Sequence, residues 1–154
     1  MPIIEPIPIE DLPPRSREII EGGYADGLYA TTLPLQVFAY NSQRLEATHA
    51  KRLAMGAGNL LGGRILELLR IRSAQLGECQ PCMQSRKHDS ITDEDVACLV
   101  DSDHIGHDPQ ERMALKFLDL LSADHHALDA DFYRQLAEVF TTAQIVELGF
   151  ACAG

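Results

Sequence analysis

The sequence has few cysteines, few basic residues and no long hydrophobic run, and each shortage argues against a class of protein. Only 4 of its 154 residues are cysteine, too few for the disulfide scaffold of a small secreted protein. Lys and Arg number 13 against 23 Asp and Glu, giving a formal net charge of −10, which argues against binding to a nucleic-acid backbone. No stretch approaches the roughly 18 consecutive apolar residues of a membrane-spanning helix.

The N-terminal segment has neither the basic start nor the apolar run of a signal peptide. Together with the low cysteine content, this predicts a cytoplasmic, reducing location. Residues 1–14 are rich in proline, which predicts an extended arm rather than a helix. Residues 15–154 are long enough to form one domain with a hydrophobic core.

Apolar residues recur at helical spacing, and no run alternates convincingly with period two, so we predict an all-α, single-domain helical bundle. Helices are expected over about 15–28, 61–76 and 79–89, and further helices are expected to start near residues 31, 92, 108, 129 and 141. The predicted helix Leu61–Leu76 carries apolar residues on a wide arc, which indicates a central position. Gly77 is expected to end it.

The most informative motif is Cys79-Gln80-Pro81-Cys82. Cysteines at i and i+3 lie on one face of a helical turn, and Pro81 is tolerated in a helix only in its first turn. The motif is therefore predicted at a helix N-terminus, where the helix dipole favours thiolates. In a reducing compartment such a pair is expected to cycle between dithiol and disulfide.

Two other interpretations of the motif stay open, namely a pair of unreactive thiols and one half of a zinc site. A zinc site needs two further ligands, and the only set that can be drawn combines Cys79, Cys82, His88 and Cys98. Its spacing matches no common zinc module. Cys98 and Cys152 have apolar neighbours and are predicted to be small buried hydrophobic residues. A set of acidic and histidine side chains is interpreted as a polar surface loop rather than a metal site: Asp101, Asp103, His104, His107 and Asp108.

The segment Gly63–Cys82 resembles the carboxymuconolactone decarboxylase family, specifically its alkyl hydroperoxidase D-like branch. That branch carries a glutamate on a buried helix, then eleven residues, a CxxC motif, three residues and a histidine. Here Glu67 and Cys79 are separated by eleven residues. The resemblance implies an all-α bundle of that type, a homo-oligomer (dimer, trimer or hexamer), a hydroperoxide substrate and a thiol or lipoyl-type electron donor, without cofactor or metal.

By the same resemblance, the thiolate of Cys82 attacks the peroxide and becomes a sulfenic acid. Cys79 then resolves it into a Cys79–Cys82 disulfide. Glu67 is the base or proton shuttle, with a pKa that burial is expected to raise. The spacing also allows a structural role for Glu67, a salt bridge to Arg64 or Arg70 on its own helix.

The chain departs from the family pattern at Arg86, which occupies the position of the histidine. Arginine does not exchange protons near neutral pH, but on the same helix face one turn beyond Cys82 it can hold a thiolate. His88 lies off that face and is a poor substitute. We therefore predict a weakened thiol peroxidase. The alternatives are a lactone enzyme of the decarboxylase type, which the CxxC motif argues against, and a non-catalytic, redox-sensing helical oligomer.

Overall fold

The computed structural model describes residues 3–56, 59–104 and 106–153. Helices are the only regular structure in these residues, and no strand occurs among them, which confirms the all-α prediction. None of the helices in these ranges has both the length and the apolar content needed to cross a bilayer. The α-helices are α1 Pro14–Ala25, α2 Leu33–Phe38, α3 Ser42–Gly56, α4 Gly63–Leu76, α5 Gln80–Gln84, α6 Asp93–Cys98, α7 Pro109–Ala123, α8 Ala130–Val139 and α9 Thr142–Cys152.

The chain divides into two compact units, Met1–Gly58 and Asn59–Gly154. The first unit contains α1, α2 and α3 and its own apolar core, which includes Ile20 and Leu45. The proline-rich segment runs along this unit, with a short 3-10 helix at Ile9–Asp11. Arg17 and Gln36 donate hydrogen bonds to backbone carbonyls of that segment. The predicted domain boundary at residue 14 stays a prediction.

The second unit is built around α4, which buries apolar side chains in two clusters. Ile65 and Leu69 belong to a core formed with α7, α8 and α9. Leu68 and Ile71 belong to a second cluster with Ile91, Leu99 and Leu115. Because α4 contributes to both clusters, the predicted central position of this helix is confirmed.

Helix starts in the second unit follow from local capping chemistry. The residue immediately before each of four helices accepts, through its side chain, a hydrogen bond from a backbone N–H in the first turn of that helix. These bonds satisfy donors that have no partner within the helix. The residues concerned are Thr92 before α6, Asp108 before α7, Asp129 before α8 and Thr141 before α9. These starts agree with the positions predicted from the sequence.

The end of α4 leads directly into the CxxC motif. The N–H of Glu78 bonds to Gln75 O, and the N–H of Cys79 bonds to Ala74 O, the hydrogen-bond pattern of a Schellman motif. Such a motif needs one residue in the left-handed conformation, usually glycine. Here that residue is Glu78, with φ 52°, whereas Gly77 has φ −90°. The helix ends where the sequence predicted, but its turn uses a glutamate at the position that glycine favours.

Candidate active site at the CxxC motif

Cys79 and Cys82 are joined by a disulfide with their Cα atoms 5.3 Å apart. Cys79 is the N-cap residue of α5 and has an extended backbone, and Pro81 lies in the first turn of this helix. Cys82 is exposed and Cys79 is partly buried. The disulfide is therefore accessible to a reductant in solution, and Cys82 is the more accessible of the two cysteines.

The helix that carries the motif is shorter than predicted. It ends at Gln84, and Ser85 is extended, so the expectation of a helix to about residue 89 is wrong. Backbone groups past the motif bond to side chains of α4 instead of continuing the helix. Ser85 O accepts from Arg70 Nη2 at 2.6 Å, and Lys87 N–H donates to Glu67 Oε1 at 2.6 Å.

Glu67 is 4% exposed and forms a two-pronged ion pair with Arg70. Arg70 Nε donates to Oε2 at 2.7 Å and Nη2 donates to Oε1 at 2.8 Å. The structural interpretation of Glu67, as the partner of an arginine on its own helix, is the one found here. Such bidentate pairing is stronger and more directional than a simple contact of charges.

This pairing reverses the expected pKa of Glu67. Burial by itself raises the pKa, but hydrogen bonds from Arg70 and from Lys87 N–H, with the positive charges of Arg70 and Arg86, outweigh it and lower the pKa of Glu67. The expectation of a raised pKa is therefore wrong, because it took account of burial but not of the hydrogen bonds and positive charges around the carboxylate. A carboxylate held in its charged form is a weaker base and a poor proton donor near neutral pH.

Arg70 connects Glu67 to the redox motif. In addition to the ion pair, its Nη1 donates to Cys82 O at 2.9 Å, and Nη2 donates to Ser85 O. One guanidinium therefore contacts α4, α5 and the segment that follows α5. The i, i+3 spacing predicts Arg70 only as a possible partner of Glu67. Its contacts with the backbone carbonyls of Cys82 and Ser85 could not be predicted from the sequence, because every residue has a carbonyl group.

Arg86 does not lie on the helix face predicted for it, because α5 ends before this residue. Its Nη1 donates to Met83 O at 2.5 Å, and its Nη2 lies 3.2 Å from Oδ1 of the exposed Asp93. These contacts fix the segment after α5. The positive charge of Arg86 contributes to the low pKa of Glu67.

The donors of the alternative zinc site are not assembled. Cys79 and Cys82 are bonded to each other, and Cys98 contacts His104 instead. The ring of His88 pairs through Nδ1 with Ser90. Within residues 3–56, 59–104 and 106–153, no group of three or more His, Cys, Asp or Glu side chains has a geometry that could hold a metal ion.

The site thus combines an exposed disulfide with a buried, ionised Glu67–Arg70 pair that holds the backbone of Cys82. The disulfide can accept two electrons from a thiol donor and become a dithiol. Arg70 holds the main chain of the motif in place through Cys82 O. No family model, curated protein or solved structure matches the chain.

Proposed function

We propose that this protein is a thiol-dependent peroxidase that uses Cys79 and Cys82 as its redox pair. The observation that carries the proposal is the Cys79–Cys82 disulfide at an exposed helix start. A disulfide reachable from solvent can be reduced by an external dithiol, whereas a buried structural one is protected from exchange.

The reaction is proposed in three balanced steps. The Cys82 thiolate attacks a hydroperoxide ROOH, so that an S–O bond forms, the O–O bond breaks and the departing RO⁻ takes up a proton. Cys79 then attacks the sulfenic sulfur of Cys82, forming the S–S bond and releasing water. A dithiol donor, such as a reduced lipoyl group, reduces the disulfide and becomes a disulfide itself.

We assign the first attack to Cys82 because it is the more exposed of the two cysteines and occupies the attacking position in the family that the motif resembles. Glu67 and Arg70 act as positioning residues: the ion pair directs Arg70 towards the carbonyl of Cys82. Arg86 holds the adjoining segment through Met83 O. The proton relay of the resembled family is not part of this proposal, since the pKa of Glu67 is lowered.

A redox sensor without turnover is the second candidate. The full engagement of Glu67 by Arg70 and Lys87 N–H favours it, because this carboxylate is poorly suited to transfer protons during a cycle. The homo-oligomer and the cytoplasmic location predicted from the sequence belong to both proposals.

Peroxide consumption with dithiothreitol or dihydrolipoamide as donor tests the proposal. We expect the wild type and Cys152→Ser to turn over, Cys82→Ser to lose most of the activity, and Cys79→Ser to form a sulfenic acid at Cys82 that no Cys79–Cys82 disulfide resolves. Undiminished activity of Cys82→Ser would exclude the mechanism. A wild-type protein that oxidises stoichiometrically, yet shows no turnover with either donor, would identify the sensor instead.

A further inference from the structure

A cysteine outside the CxxC motif, Cys98, ends α6 and lies close to histidines of the segment that leads to α7. The Sγ atom of Cys98 is 3.4 Å from Nε2 of His104, and both residues are partly buried. The ring of His104 contacts that of His107 edge to face, with centroids 5.7 Å apart. We refer to Cys98, His104 and His107 as the thiol–imidazole cluster.

The backbone determines which nitrogen of His104 carries the proton. Gly106 N–H donates to His104 Nδ1 at 3.1 Å, so Nδ1 supplies a lone pair and the proton of the neutral ring is on Nε2. That N–H is directed to the sulfur of Cys98. A sulfur that carries negative charge accepts a hydrogen bond more strongly than a neutral thiol does, so His104 is placed to hydrogen-bond the sulfur of Cys98 as it attacks.

His107 adds an independent observation. It is 3% exposed, yet neither of its ring nitrogens has a hydrogen-bond partner. Its Nδ1 is 3.8 Å from Glu111 Oε2, beyond hydrogen-bond distance, and Glu111 is already bonded to Arg64 and to Asp108 N–H. An unpaired buried donor and acceptor is unusual, and a small molecule that both donates and accepts would satisfy it.

We propose that Cys98 is a second peroxide-reactive thiol, for which hydrogen peroxide is the ligand that the cluster accepts. Hydrogen peroxide is small, and because it both donates and accepts hydrogen bonds it can pair with the ring nitrogens of His107. The Cys98 thiolate attacks one oxygen: an S–O bond forms, the O–O bond breaks, sulfur loses two electrons, and the departing hydroxide becomes water by taking up a proton equivalent to the one that the thiol released on ionisation. The product is a Cys98 sulfenic acid.

The test uses the Cys79→Ser/Cys82→Ser variant, so that the CxxC motif contributes nothing. After exposure to hydrogen peroxide, sulfenic acids are trapped with dimedone and located by mass spectrometry. Cys152 is the internal control, because burial raises its pKa to about 12. We expect dimedone on Cys98 and at least about tenfold less on Cys152. Equal labelling of both cysteines, or none on Cys98, would overturn the proposal.

Variants of the two histidines, made in the same background, test the assigned roles. His104→Leu removes the donor to sulfur and should slow labelling of Cys98 at least about tenfold, whereas His104→Gln keeps an N–H at the equivalent place and should retain most of the rate. His107→Leu should slow oxidation by peroxide but leave alkylation by iodoacetamide unchanged. The proposal fails if His104→Leu stays within about twofold of its parent, if His107→Leu slows both reactions equally, or if added Zn²⁺ binds the cluster and blocks Cys98.

Discussion

Arg64 and Arg70 lie on the same helix and each pairs with a buried glutamate, but they connect different parts of the molecule. Arg64 donates to Glu111 and Asp95, carboxylates that lie 47 and 31 residues away in sequence. Arg70 pairs with Glu67 on its own helix. Its more distant partners are the backbone carbonyls of Cys82 and Ser85.

This difference in partners predicts different roles for the two arginines: Arg64 stabilises the fold, and Arg70 also positions the redox segment. Arg64 joins α4 to α6 and α7 chiefly through side-chain charges, with one further hydrogen bond to Ser90 O, so its loss leaves carboxylates of two other helices without a cation. Arg70 uses a local carboxylate to fix its own orientation and holds the redox segment by main-chain oxygens. Those oxygens are present whatever the side chains or the oxidation state of the sulfurs. We therefore expect changes at Arg64 to affect mainly folding, and changes at Arg70 to affect both folding and the redox reaction.

Arg64→Met should have the largest effect on stability. It leaves the buried carboxylate of Glu111 without its cation, and breaking a largely buried pair in this way costs about 3 kcal/mol of unfolding free energy. Urea denaturation measures the change. Arg15→Met is the matched control, because Arg15 and Glu18 form an exposed pair that solvent and salt screen, so its loss should be much the smaller. Equal losses in the two variants would contradict the assignment of Arg64.

Arg70→Met should cost less, about 2 kcal/mol, since it removes the cation from one carboxylate, Glu67, whereas Arg64 pairs with two. The double variant Glu67→Met/Arg70→Met should recover much of that loss, because no unpaired charge then remains buried. Neither variant should recover normal peroxide turnover, since both lack the guanidinium that holds Cys82 O. Full activity in the double variant would show that this contact does not position the motif.

The loss of unfolding free energy at acid pH should also differ between the partners of Arg64 and Arg70. Arg64 donates hydrogen bonds that hold the pKa of Asp95 well below its usual range, and the pKa of Glu67 is also lowered. Both carboxyls therefore contribute full stability above their unfolded pKa of about 4 and lose it as the pH falls towards the folded-state values. Asp95→Asn should flatten the acid loss of unfolding free energy more than Glu67→Gln. The exposed Glu94 provides the control variant Glu94→Gln, and a similar flattening there would refute the prediction.

Glu78→Gly should produce the smallest change and the only gain. Glu78 adopts φ 52°, a conformation that costs a residue with a side chain about 1 kcal/mol relative to glycine. We expect thermal and urea unfolding to show a stabilisation of about that size. Gly77→Ala is the comparison, since φ at Gly77 is −90° and alanine fits there. A destabilised Glu78→Gly would mean that the glutamate side chain contributes more than its backbone costs.

Features encoded within a few residues could be predicted from the sequence. The helix starts at Thr92, Asp108 and Thr141 were found because each cap and the backbone donor it satisfies lie within one turn. The burial of Glu67 was expected from the family resemblance, and the central position of α4 from its apolar arc. The length of α5 was not predicted, since it depends on Arg70 and Glu67 reaching backbone groups of another segment. The pKa of Glu67 was not predicted either, since it depends on hydrogen bonds from Arg70 and from Lys87 N–H. The buried ring of His107, whose nitrogens lack hydrogen-bond partners, was not predicted either, because the packing of a loop follows no periodicity in the sequence.

The turn at the end of α4 has a consequence for the kinetics of the redox pair. The N–H of Cys79 is bonded to Ala74 O and its carbonyl accepts from Met83 N–H, so its main chain is held without any help from the disulfide. After reduction, Cys79 therefore stays near Cys82, and its effective molarity towards a sulfenic acid there stays high. Disulfide closure within the chain should then outpace capture of that sulfenic acid by a second peroxide or by a thiol of another molecule.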